Sequence, residues 1–504
     1  MANPLFDRLF GTHAGKATPF MRLADGTVLT HQDFLGTAAQ IAHVLTQTGL
    51  TPGDRVAAQV EKSPEALALY AACVQAGLIF LPLNTAYTAD ELSYFIENSG
   101  ASVVICDSRN EATLTPIAKS LGAGLETLNA NGSGTLMDQA SAMPLSFVTV
   151  DRDGSDLAAF LYTSGTTGRS KGAMLTQDNL LSNAVTLAQE WRFTADDVLL
   201  HALPIFHTHG LFVASNVTLI AGGSMIFLPK FDLETVLARL PEATTMMGVP
   251  TFYTRLLGED RFNRDLTAHM RLFVSGSAPL LAETHVQFET RTGHRILERY
   301  GMTETNMNTS NPYAGERRAG TVGFPLPGVE LKITDAANGE PLPQGEVGQI
   351  EVRGPNVFKG YWQMPEKTAA ELRADGFFIT GDLGLIDADG YVHIVGRNKD
   401  LIISGGYNIY PKEIELVLDD QPGVLETAVI GVPHPDFGET VLGVVIAAPG
   451  QTPDTEAMMA SVQKQLARFK HPRKLIVIDE LPRNTMGKVQ KNILRDSYKD
   501  MFQP

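Results

Sequence analysis

Between Arg55 and Cys106 apolar strands and capped helices alternate with short connections, and this alternation constrains the fold more than any other feature of the chain. Arg55–Val60 reads as a strand. Ser63–Ala76 reads as a helix opened by Ser-Pro-Glu, with serine at the cap and proline at the first helical position. Leu78–Leu83 reads as a buried strand, Ala89–Asn98 as a helix and Ser102–Cys106 as a strand. A βαβαβ run predicts a mostly parallel sheet covered by helices. A second alternating region starts at Leu157. Strand-like Leu157–Tyr162 runs into a Gly/Ser/Thr loop, Leu175–Trp191 reads as a helix, and strands follow at Thr244–Val249 and Leu272–Ser275. From Thr321 to Ile394 short strands separated by turns predict a β-rich subdomain.

After Leu401 the pattern restarts: helix Pro411–Leu418, strands Glu426–Val432 and Leu442–Ala448, helix Thr455–Phe469 and strand Lys474–Asp479. The expected class is α/β. A large N-terminal domain, 1–398, combines layered, parallel-rich α/β subdomains with the β-rich one, and a smaller α+β domain spans 399–504. A chain of 504 residues suits this division, at about 150 residues per domain or large subdomain.

Composition removes several classes of function. Lys plus Arg is 40 and Asp plus Glu is 56, a net charge of −16. That balance argues against non-specific nucleic-acid binding and against docking on anionic membranes. Cys73 and Cys106 stand far apart with no zinc-type spacing, so two reduced thiols in a cytosolic interior are expected. No signal-peptide design opens the chain, no apolar run approaches the roughly 18 residues of a membrane span, and the final MFQP is not a peroxisomal address. A cytoplasmic protein is expected.

The chemistry concentrates first in Thr163–Gly172, TSGTTGRSKG, read as lying between a strand and a helix. Small residues let backbone N–H groups approach an anion, hydroxyls add donors, and Lys171 adds charge. The segment cannot be matched to the GxxxxGK[ST] phosphate loop, which speaks against a P-loop phosphotransferase. It resembles the phosphate loop of the acyl-adenylate-forming superfamily: acyl-CoA synthetases, beetle luciferases and peptide-synthetase adenylation domains. Further segments match that superfamily in order and spacing: Tyr300-Gly-Met-Thr-Glu304, Thr380-Gly-Asp382, Gly396-Arg-Asn-Lys-Asp400, Ser404-Gly-Gly-Tyr-Asn408 and Pro482-Arg-Asn-Thr-Met-Gly-Lys488. The resemblance covers nearly the whole chain and is nearest to malonyl-CoA synthetases, which also accept methylmalonate.

The resemblance implies ATP, Mg²⁺ and coenzyme A as ligands, and it implies roles. Thr163, Ser164, Gly165, Thr166, Thr167, Gly168 and Lys171 would cradle phosphates. Glu304 would bind Mg²⁺, Thr303 the α-phosphate, and Tyr300 would stack on adenine, with Arg299, Gly301 and Met302 around it. Gly276, Ser277 and Ala278 match the adenine-side loop. Asp382 and Arg397 would hold the ribose hydroxyls. Lys488 would catalyse adenylation, because a positioned ammonium stabilises charge that grows on the phosphate in the transition state. Lys399 is the implied hinge of a mobile C-terminal domain that alternately presents Lys488 and the loop with Gly405, Gly406 and Tyr407, the latter opening a pantetheine channel. A lysine used in one half-reaction is also a candidate for control by an acetyltransferase and a deacetylase.

Substrate choice rests on fewer residues. His207, in FHTHG, would border the acyl pocket and thioester tunnel. His207 and His209 as a metal pair would lack a visible third ligand. That segment contains no acidic residue to hold an amino acid's ammonium, and no carrier-protein segment follows residue 504, so CoA is the expected acceptor. Arg255 and Arg299 fall in pocket-lining segments together with Ser275. An acid with a second carboxylate would need such a guanidinium. Arg255 is the expected carboxylate partner, with Met302 limiting side-chain size. Fatty and aryl acyl-CoA synthetases, and a carrier-loading adenylation enzyme, remain as alternatives.

Overall fold

The computed structural model describes residues 3–163, 170–404, 407–435, 437–466, 468–484 and 487–502, with the backbone alone at Tyr407 and Asn408. The chain divides into two compact units, Met1–Glu330 with Val352–Phe378, and Leu331–Glu351 with Ile379–Pro504. The partition therefore differs from 1–398 and 399–504, because much of the β-rich stretch clusters with C-terminal residues.

The first unit is built on two parallel-rich sheets. Among the described residues one has nine strands, of which six are mutually parallel neighbours: Leu297–Met302, Leu272–Ser275, Thr245–Gly248, Val198–His201, Ser224–Phe227 and Pro19–Arg22. The other has seven, with Leu157–Thr163, Ile79–Pro82, Arg55–Gln59, Val103–Cys106 and Gly124–Thr127 parallel in that spatial order. The expected βαβαβ run is thus present. Ser63 caps the Pro64–Gln75 helix by accepting from the Ala66 N–H, with proline in the first turn. Strands such as Val103–Cys106 are buried throughout, as parallel strands covered on both faces must be. Leu200, Ile226, Met246, Phe273 and Phe288 form one core, and Ala57, Leu81, Val104, Phe95 and Phe160 another.

One expected arrangement is corrected. The Gly/Ser/Thr loop does not run into a helix. It is followed by a strand, Lys171–Thr176, which folds back antiparallel on Leu157–Thr163 with Thr163 opposite Lys171. The helix starts only at Gln177, capped by Thr176. Six residues of strand, about 20 Å at about 3.3 Å each, separate Lys171 from that helix N-terminus, so the loop gains nothing from its dipole. Apolar Ala173 and Leu175 alternate inward as strand residues, a period that the adjoining helical run obscured.

The second unit carries a four-stranded sheet, Glu330–Thr334, Gly348–Arg353, Phe378–Ile386 and Val392–Arg397, whose first and third strands begin, and second ends, just outside it. It also carries a five-stranded sheet in which Gly438–Ala447 lies between Val424–His434 and parallel Lys474–Ile478. The helix expected to reach Phe469 ends at Gln465, and a short 3₁₀ turn, Arg468–Lys470, follows. Both cysteines are free and buried. Among the described residues no helix is long and apolar enough to cross a membrane.

Candidate active site

Four adjacent parallel strands of the nine-stranded sheet end at His201, Gly248, Ser275 and Met302, and the segments leaving those ends carry the chemistry. Ligands of open parallel sheets bind at this edge.

Arg299 lies on the strand Leu297–Met302 and is only 4% exposed. Its guanidinium lies over Gly276, where an added Cβ would sit 2.3 Å from Arg299 Cζ, so a side chain at residue 276 would displace the guanidinium from this place. Among the described residues Nε and Nη2 of Arg299 have no hydrogen-bond partner, and neither do the buried Ser275 Oγ, Thr208 Oγ1 and His209 Nε2. Burial pulls the Arg299 guanidinium down to about 9. His207 is held neutral, its pKa lowered to about 4 by burial and then by the charge of Arg299. The same two causes lower His209. His209 Nδ1 lies 3.1 Å from Ser277 Oγ, and Ser277 holds a left-handed backbone, φ +72°. The buried Glu298 carboxylate offsets part of the cost of burying this charge, but a buried cation with open donors still favours an anion that reaches them.

Arg255 is not in this cluster. It lies on an exposed face of the helix Pro250–Leu257, its guanidinium 6.0 Å from the Phe231 ring centre. Met302 and Thr303 are half-buried where the strand ends, beside half-buried Tyr300 and Gly301. Ala278, also half-buried, continues the loop after Ser275.

On the phosphate side, Glu304 is buried, and its Oε1 accepts from Thr163 Oγ1 at 3.3 Å. The Tyr361 hydroxyl lies 3.0 Å from Glu304 Oε1 and 2.7 Å from Glu371 Oε2. Burial and the Glu304 charge push the Tyr361 phenol up, so it stays a donor. Lys171 Nζ sits 3.3 Å from Glu371 Oε2 and 4.1 Å above the Tyr361 ring. A buried carboxylate among hydroxyl oxygens suits a hard cation such as Mg²⁺. Among the described residues no group of three or more His, Cys, Asp or Glu could hold a metal, so the nucleotide's phosphates would have to complete its shell. Ser164, Gly165, Thr166, Thr167 and Gly168 lie outside the described residues, as do Gly405 and Gly406 and the side chain of Tyr407.

In the second unit Asp382 and Arg397 are cross-strand partners, with Arg397 Nε 2.7 Å from Asp382 Oδ1. Lys488 lies in a turn closed by the Arg483–Val489 bridge, and its N–H donates to Asn484 Oδ1 at 2.9 Å. Its ammonium is lowered to about 8, chiefly by burial and then by Arg397 and Lys399, with Asp382 and Asp400 opposing. Lys399 lies on the short turn Asn398–Asp400. The expected ribose pair, the expected hinge and the expected catalytic lysine thus share one electrostatic neighbourhood within this unit.

The model of the AMP-binding enzyme family matches residues 11–362, and that of the AMP-binding enzyme C-terminal domain matches residues 413–488. The chain is an AMP-binding enzyme. Its structure is similar to that of ATP-bound MatB from Rhodopseudomonas palustris, at 58% identity and a TM-score of 0.98, over 100% of both chains. Among curated relatives, a feruloyl-CoA synthase of an Amycolatopsis species is 37% identical over 94% of each chain. A malonate–CoA ligase of Arabidopsis thaliana is 36% identical over 90% of this chain and 79% of its own.

Two residues of this AMP-binding enzyme escaped the sequence reading. Tyr361 and Glu371 join Lys171 and Glu304 only through folding, from 200 positions away in the case of Lys171 and Glu371. Nothing local in GYWQMPEKTAAEL marks them, since a lone tyrosine and glutamate read as core and surface.

Proposed function

We propose that this AMP-binding enzyme is an ATP-dependent malonate–CoA ligase. The acid attacks the α-phosphorus of ATP, giving the acyl adenylate and pyrophosphate. The CoA thiol then attacks the acyl carbon and releases AMP. The observation that carries the dicarboxylate is Arg299: a buried guanidinium with open donors, in whose field His207 stays neutral, is a receptor for a second carboxylate. The malonate–CoA ligase from Arabidopsis supports the choice of acid.

In this reading Arg299 and Ser275 hold the distal carboxylate, and Arg255, on the neighbouring helix, is a secondary contact. Met302 restricts the α-substituent, which sets the tolerance for methylmalonate. His207 and His209 stay uncharged, so the reacting carboxylate is not held back by a salt bridge of its own. Gly276, Ser277, Ala278, Tyr300 and Gly301 flank adenine, Asp382 and Arg397 hold the ribose, and Thr163, Thr303 and Lys171 hold phosphates. Glu304 holds Mg²⁺, which when bound offsets phosphate charge. Lys488 stabilises the charge that grows during acyl transfer to AMP. A swing about Lys399 then exchanges Lys488 for the loop at Gly405, Gly406 and Tyr407, where CoA enters. Lysine acetylation at Lys488 and a cytoplasmic location belong to the same reading.

AMP release with CoA, measured for malonate, methylmalonate, acetate, octanoate, benzoate and ferulate, tests it. Turnover confined to the dicarboxylates is the expected result. Turnover with ferulate or benzoate alone would favour the aryl reading, which the feruloyl-CoA synthase relative supports, and would leave Arg299 without its role.

A further inference from the structure

A second buried basic side chain lies in the first unit, its pKa lowered well below the usual lysine range by burial, and no step above uses it. Lys62 follows the strand Arg55–Gln59 of the seven-stranded sheet and is 8% exposed. Its amino group lies 2.8 Å from His201 Nδ1, 2.8 Å from the His201 carbonyl oxygen and 4.2 Å above the Phe227 ring. Among the described residues no carboxylate pairs with it. His201 ends a strand of the nine-stranded sheet and is fully buried. Its Nε2 lies 2.9 Å from the Gly210 carbonyl oxygen, to which Ser215 Oγ also donates at 2.9 Å.

These contacts set a direction. The Gly210 carbonyl can only accept, so the imidazole proton sits on Nε2, and Nδ1 accepts from the Lys62 amino group. Gly210 belongs to a π-helical turn, His209–Ser215, the kind of irregular helix that concentrates at functional sites. The turn has no slack there, since a Cβ at residue 210 would lie 2.0 Å from the Pro204 carbonyl oxygen. His209 immediately precedes Gly210 in the chain, and the Leu211 N–H donates to the His207 carbonyl at 3.0 Å. Those are the two imidazoles that face Arg299.

We infer that Lys62 and His201 are positioning residues for acid binding: a buried relay, Lys62 to His201 to the Gly210 carbonyl, fixes the register of the turn that presents His207 and His209. A role in stability explains the lysine poorly. A buried amino group with no carboxylate partner costs free energy, and an apolar side chain of similar length in its place is commonly neutral or stabilising. Its benefit lies in geometry instead, since a misplacement of about 1 Å far from the reacting atoms can cost about 10²-fold in rate. The relay runs from a residue just after a strand of the seven-stranded sheet to the end of a strand of the nine-stranded sheet, so it ties the His-bearing turn to a second element of the first unit. The inference rests on the acid lying beside Arg299, and the test separates the two.

The test compares Lys62→Met, His201→Phe, the double variant and Arg299→Met in the intact enzyme, reading the melting temperature and, by pyrophosphate exchange, the KM for malonate and the KM for ATP. Expected for Lys62→Met is an unchanged or raised melting temperature, an unchanged KM for ATP and a KM for malonate raised about tenfold or more. His201→Phe should shift the malonate KM in the same direction. The double variant should be no worse than the poorer single one, because both residues act through one link. A lowered melting temperature with the malonate KM unchanged overturns the relay, as does a double variant whose effect is the product of the singles. If Lys62→Met fails to fold, His201→Phe decides by the same readouts, and failure of both to fold also overturns it. A raised malonate KM in Lys62→Met beside a normal one in Arg299→Met supports the relay and moves the acid away from Arg299.

Discussion

The acid site in the first unit and the lysine turn in the second solve opposite problems with the same kind of charge. Arg299 is buried on a strand, over a glycine that makes room for its guanidinium, with Nε and Nη2 open among the described residues and two neutral imidazoles in its field. Lys488 sits in a turn, half-buried, in a field shared by Arg397, Lys399, Asp382 and Asp400. A specificity group must be rigid and dry, because discrimination depends on what an unfilled donor costs. A group needed in a single half-reaction can be mounted on a turn, and a charge whose protonation is close to neutral pH can be tuned by its surroundings.

The largest effect that would break this contrast concerns Lys488. Lys488→Ala should lower malonate-dependent pyrophosphate exchange by about 10²–10³-fold or more, while CoA still reacts with supplied malonyl adenylate at near-normal rate. An equal loss in both half-reactions would make Lys488 a general binding residue. Next, Arg299→Met should cost about 10²-fold in kcat/KM for malonate, the worth of hydrogen bonds to a charged group, and leave the KM for ATP nearly unchanged. A larger change in the ATP term would place Arg299 with the nucleotide.

The pH profile sharpens the comparison further. With the free-enzyme pKa of Lys488 lowered to about 8, kcat/KM for ATP in adenylation should fall about tenfold per unit once pH rises past that value. The thioester step should lack that limb, and Lys488→Ala should lose it. On the acid side the sign is reversed and concerns stability. His207 is depressed to about 4 when folded and titrates at about 6.5 when unfolded, so the unfolded chain binds the extra proton between those values. Stability is therefore full above about pH 6.5 and declines as pH falls through that window, a trend that melting temperatures between pH 8 and 5 would show and that His207→Gln should weaken. The smallest effect belongs to Arg255→Ala, about threefold or less in the malonate KM, as suits an exposed charge. A loss as large as that of Arg299→Met would show that the exposed arginine closes onto the acid.

The sequence by itself determined the alternation of strands and helices, the parallel-rich α/β class and the AMP-binding family, and it named the candidate nucleotide-handling residues. Those signals are local: a cap, an apolar run, a loop of small residues, or a short motif such as Tyr300–Glu304. The strand Lys171–Thr176 was hidden because its apolar residues merge with a helical run, and only pairing with Leu157–Thr163 decides between them. The division into compact units was also out of reach, because it depends on contacts between segments far apart in the chain, such as Leu331–Glu351 with Ile379–Pro504. Tertiary structure alone separated the two arginines by burial. Arg255 and Arg299 are equivalent as letters, but one lies on an exposed helical face and the other points into the edge of a parallel sheet. Burial, a property of the whole fold, makes the second the candidate receptor, and folding gives Lys62, a lysine with no motif around it, a partner 139 positions away.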